Sequence, residues 1–84
     1  MDRFYRIFEL ARYLSQCRRA HKTDELIRFY QDHSTTFDHR RRLLQRDLKV
    51  LRDLGLVVQE KTGGRNLRAY RWVAPYRWEK INAV

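Results

Sequence analysis

The chain has 84 residues, 43% of them hydrophobic and 13% aromatic, enough for one small core and too few for two domains. Lys and Arg number 19 against 10 Asp and Glu, a net charge of +9 that points to a polyanionic partner, nucleic acid first among them. The apolar content excludes a disordered tail, and a single cysteine, Cys17, excludes an intrachain disulfide framework.

No apolar run reaches transmembrane length, and the amino-terminal MDRFYRIFEL mixes charges into its apolar residues where a signal peptide needs an uninterrupted core. A cytoplasmic, nucleoid-associated protein without a membrane partner is therefore expected. In residues 2–19, Phe4, Ile7, Phe8, Ala11 and Leu14 recur at three- and four-residue spacing, with Cys17 near the stripe. Arg3, Arg6, Arg12, Arg18 and Arg19 fall mostly off it, as in an amphipathic helix whose apolar face joins the core.

Thr23 carries the hydroxyl of an N-cap, and Asp24 and Glu25 follow where the helix dipole favours carboxylates. A short second helix is expected through Leu26, Ile27, Phe29 and Tyr30 to about Asp32. The polar run His33-Ser34-Thr35-Thr36 reads as a turn. A third helix is expected over about 37–54, capped by Thr36 or Asp38 and stopped by Gly55 at its C′ position. Residues 56–61 and 67–73 read as strands joined through Gly63-Gly64, with Tyr70 and Trp72 on one face and Ala69 and Arg71 on the other. Pro75 ends the second strand.

The order helix, helix, helix, hairpin predicts an α+β domain over residues 1–75: a winged helix-turn-helix, three helices followed by a β-hairpin wing. Residues 76–84 are too few for a core of their own. Their apolar Tyr76, Trp78, Ile81 and Val84 are expected to pack on the first helix or on another subunit, which makes this tail a candidate dimerisation element and a homodimer the expected assembly.

Between Arg40 and Arg71 lie ten basic and three acidic residues, so most of the excess charge sits in the third helix and the hairpin. On a helical wheel Leu43, Leu44, Leu48, Val50, Leu51 and Leu54 share one arc, while Arg41, Arg42, Gln45, Arg46, Lys49, Arg52 and Asp53 share the other. An ordinary solvated face mixes signs at four-residue spacing, and this one is nearly all basic or amide. Arg grips guanine O6 and N7 with two hydrogen bonds, and Gln grips adenine N6 and N7 in the same way. The amino-terminal part of such a helix meets base edges, so Arg41, Arg42 and Gln45 are the expected base contacts. Arg46, Lys49 and Arg52, with Lys61, Arg65 and Arg68 of a basic wing over about 59–71, are the expected contacts to the DNA backbone. Asp47 falls inside the apolar arc, where a lone carboxylate is costly; Arg40 or an arginine of the first helix is its expected partner.

The run Leu44-Gln45-Arg46-Asp47-Leu48-Lys49-Val50-Leu51 resembles the R-D-L-x-x-L stretch of the winged helix-turn-helix in WYL-domain regulators and DeoR-like repressors. Arg46-Asp47-Leu48 match its centre, Leu51 its later leucine and Gly55 the glycine after the helix; Glu25-Leu26 and Tyr70 resemble its second-helix opening and its late wing tyrosine. The likeness spans about residues 4–73 and implies a bacterial or phage DNA-binding regulator, often dimeric. Glu25 to Arg46 is several residues longer than in that pattern, which implies an enlarged turn before the third helix. Arg40 and Leu43 stand where the pattern has Ser and Thr.

Cys17 and His21 have metal-ligand spacing, but a closed zinc site needs two further ligands that nothing brings near; a core-edge cysteine and exposed histidines are expected instead. Gly63-Gly64 lacks the lysine and hydroxyl of a phosphate-binding loop. No catalytic grouping, cofactor, metal or small-molecule ligand is expected, and the expected partner is double-stranded DNA. Two other readings remain: a protein-interaction adaptor anchored by Tyr76, Trp78 and Ile81, and an RNA-binding module with aromatic stacking.

Overall fold

The structure, a computed structural model, describes residues 3–30, 36–61 and 68–75. Helix α1 spans Arg3–Gln16, strand β1 His21–Lys22, helix α2 Thr23–Leu26 and helix α3 Phe37–Asp53, followed by strands β2 Val57–Lys61 and β3 Arg68–Trp72. A 3₁₀ turn, Ile27–Tyr30, continues α2. The strands form one antiparallel sheet in the order β1-β3-β2. Three helices and a three-stranded antiparallel sheet make a small α+β domain compatible with a winged-helix layout.

Strand β1 is an addition to the expected order. It has two residues, His21 opposite Tyr70 and Lys22 opposite Ala69, and it makes β3 the central strand. The hairpin register sets Val57 against Trp72, Gln59 against Tyr70 and Lys61 against Arg68. Strand alternation therefore puts Val57, Tyr70, Trp72 and His21 on one face, and the first three are part of the core. Ala69 lies on the outer face as expected, yet it is buried, in the central strand between Lys22 of β1 and Glu60 of β2.

The core gathers Leu10, Ala11 and Leu14 from α1, Leu26 and Tyr30 from the second helical segment, Leu43, Leu44, Leu48 and Leu51 from α3, and Leu56, Val57, Tyr70 and Trp72 from the hairpin. Phe4, placed in the first-helix stripe, is 78% exposed, and Leu10, outside that stripe, is buried with Ala11 and Leu14. On α3, Leu54 is exposed, since it caps the helix end and turns out of the core arc. The second helix is also shorter than expected, giving way to 3₁₀ geometry after Leu26, and Lys22 rather than Thr23 holds its N-cap position. The expected turn at 33–36 lies outside the described residues except for Thr36, as do the reversal at Gly63-Gly64 and the tail 76–84.

Gly55 ends α3 as the sequence predicts. Its φ is +76°, its N–H bonds the Arg52 carbonyl at 2.9 Å, and the Leu56 N–H bonds the Leu51 carbonyl at 3.0 Å. This pair of bonds is a Schellman ending, with buried Leu56 and Leu51 as its apolar contact. It turns the chain directly into β2.

Asp47 is fully buried and satisfied by two elements. Arg6 of α1 donates from Nε to Oδ2 at 2.7 Å and from Nη2 to Oδ1 at 3.1 Å, and the Tyr30 hydroxyl donates to Oδ2 at 2.6 Å. The hydrogen bond to Asp47 raises the Arg6 pKa, and burial, followed by that same carboxylate, raises that of Tyr30. One carboxylate thus joins α1, the 3₁₀ turn and α3.

A second polar cluster fixes the start of α2. His21, expected on the surface, is fully buried because it is the β1 residue on the core face; its Nδ1 meets Glu25 Oε2 and its Nε2 meets the Cys17 carbonyl at 2.6 Å. Tyr13 donates to Glu25 at 2.7 Å and Arg19 donates to both carboxylate oxygens. Burial pushes the Glu25 carboxyl up, but hydrogen bonds from His21, Tyr13 and Arg19 outweigh it and hold the pKa at about 2. It is the backbone carbonyl of Cys17 that meets His21, and among the described residues no three His, Cys, Asp or Glu side chains are grouped to hold a metal ion.

Candidate nucleic-acid interface

Helix α3 turns Leu43, Leu44, Leu48 and Leu51 inward and leaves Arg41, Arg42, Arg46, Lys49 and Arg52 exposed, with Gln45 half-buried among them. Arg41 and Gln45 line a groove of about 410 Å³ together with Arg68 at the start of β3, Lys22 of β1, Thr23, Asp24 and Ile27 of the second helical segment, and Phe37. Arg68 reaches this place through the strand register: it lies on the same sheet face as Tyr70 and Trp72, beyond the end of the core. Lys61 stands directly opposite it, an unfavourable like-charge pair for folding alone. The Glu25 cluster secures the chain on which Lys22, Thr23 and Asp24 sit.

The expected contacts do not form one patch. Arg41, Gln45 and Arg68 come together in the groove. Arg46 and Lys49 line a hollow on the other flank of α3 with Arg6, Val50 and Asp53. Arg42 lies on the arc between Gln45 and Arg46. Lys49 pairs with Asp53 at 2.9 Å, but both side chains are mostly exposed, so the pair is weak. Arg52 donates to Gln59 Oε1 at 2.7 Å, and Tyr70 donates to the same oxygen at 3.4 Å, which ties the hairpin to the carboxyl-terminal half of α3. On the outer face of the hairpin Arg71 pairs with Glu60 at 2.6 Å. Arg65 lies outside the described residues.

Sequence reasoning missed Lys22 and Phe37 as groove residues. Phe37 could have been found, because it stands four and eight residues before Arg41 and Gln45 and so shares their face. Lys22 could not, because a two-residue strand carries no periodic signal.

No protein family, curated protein or solved structure matches the chain. No described helix is long and apolar enough to cross a membrane.

Proposed function

We propose that this domain is a sequence-specific, double-stranded DNA-binding transcriptional regulator with a winged helix-turn-helix architecture, akin to the amino-terminal domains of WYL-domain and DeoR-like regulators. Helix α3 enters the major groove, where Arg41, Arg42 and Gln45 meet base edges, and the hairpin with its basic residues lies against the flanking backbone. Arg46, Lys49, Arg52, Lys61, Arg65 and Arg68 neutralise phosphates, and DNA then sets a nucleoid-associated location. The observation that carries this reading is the exposed basic and amide face of α3, with Arg68 of the hairpin brought beside its amino-terminal half. The division of the cations between two flanks suits a helix lying in a groove with a phosphate strand on either side.

The test is selection from a randomised double-stranded DNA pool at two salt concentrations, with sequencing of what is retained. Six phosphate contacts predict that affinity falls about a thousandfold between 50 and 200 mM salt while one motif stays enriched. A palindromic motif would identify a two-fold homodimer. Salt-sensitive retention without any motif, or no retention, would overturn sequence-specific reading and turn attention to RNA and protein partners.

A further inference from the structure

Phe37 is the first residue of α3 and is 57% exposed. It adds little to the core, and at N1 it is outside the N′ and N4 positions through which an apolar residue staples a helix start. Yet it lies in the groove with Arg41 and Gln45, and with Ile27 it forms the apolar part of that groove's wall. Around this wall stand three cations, Lys22, Arg41 and Arg68, against one carboxylate, Asp24. The surface is thus a small apolar step inside a cationic cleft.

Phe37, Arg41 and Gln45 follow one another at four-residue intervals, so they make one row along the helix, spaced by about 6 Å. Stacked base pairs repeat at about 3.4 Å, so along a major groove each step of the row covers about two base pairs. The largest apolar group that base pairs present in the major groove is the thymine C5-methyl, and an aromatic side chain is one of the groups that meets it.

We propose that Phe37 is a specificity-determining residue that reads a thymine through its C5-methyl, about two base pairs before the pair met by Arg41. The inference rests on the DNA-binding reading above. Lys22 and Arg68 hold the phosphates beside that thymine, and Gln45 meets a pair about two further on. This row, beside which Arg42 meets its own base edge, is then three contacts at intervals of about two base pairs: an apolar one, a guanine-type one and an adenine-type one.

Deoxyuridine in place of thymine removes the methyl and nothing else. In the duplex selected from the randomised pool, each thymine is replaced in turn and affinity measured for the wild-type protein and for Phe37→Ala. One replacement should weaken wild-type binding about fourfold, the worth of one buried methyl, and leave Phe37→Ala unaffected. The exchange on wild-type protein needs no variant to fold. Wild-type binding indifferent to every methyl, or Phe37→Ala keeping the same dependence, would overturn this inference alone. A pool from which nothing is retained would overturn the DNA-binding reading and this inference with it.

Discussion

In the middle of α3, at a position whose periodicity belongs to the core, stands a carboxylate. Asp47 is buried because Arg6 and the Tyr30 hydroxyl replace its hydration with three hydrogen bonds. Removing it would strand a mostly buried guanidinium and a buried hydroxyl together. Asp47→Ala is expected to cost about 3–5 kcal/mol, a large part of the total stability of a small domain, measured by urea denaturation. A loss below about 1 kcal/mol would show that solvent reaches these groups and that the three-way junction is not structural. That Asp47 needs a cationic partner was legible from its place on the wheel. Which cation was not: Arg40 shares its helix, whereas Arg6 reaches it only through the way α1 packs on α3, and that packing is not a property of either sequence segment. The apolar pattern puts Tyr30 on the second helix but does not reveal its bond to Asp47, which depends on how the 3₁₀ turn packs against α3. The burial of His21 is likewise hidden from the local sequence, since the strand that buries it pairs with residues nearly fifty positions away.

Among the elements, α3 and the hairpin were the most legible. Seventeen helical residues give the 3.6-residue period time to declare itself, Gly55 marks the stop, and alternation in 68–72 separates Tyr70 and Trp72 from Ala69 and Arg71. Strand β1 and the second helix were missed or overextended because two and four residues hold too few positions for either period. The junction of α3 with β2 depends on one backbone angle. At Gly55 nothing lies within 4 Å of where a Cβ would sit, so the cost of a side chain there is that of the positive φ alone. Gly55→Ala should lower stability by about 1–2 kcal/mol, read as a fall in the thermal midpoint with the folded far-ultraviolet spectrum retained. An unchanged midpoint would mean that the ending of α3 tolerates another geometry, and that the hairpin is not held in its orientation by the Schellman turn.

For the molecule as a whole, the charge that composition announced is divided by the fold. The sequence put Arg41, Arg42, Gln45, Arg46, Lys49 and Arg52 on one face of one helix. It did not separate the groove flank, with Arg41, Gln45 and Arg68, from the flank of Arg46 and Lys49, because that division needs the hairpin and α1 in place. In the proposed complex the amino-terminal half of α3 reads base edges and the remaining cations hold the backbone. Gln45 tests it best, as it is uncharged, half-buried in the groove and without a part in the core. Selection from randomised duplex DNA, run in parallel on the wild-type protein and Gln45→Ala, measures the claim directly. The variant is expected to lose about 1–3 kcal/mol of preference at a single base position and to keep the salt dependence of the wild type. Equal weakening on every sequence, with the motif unchanged, would contradict it.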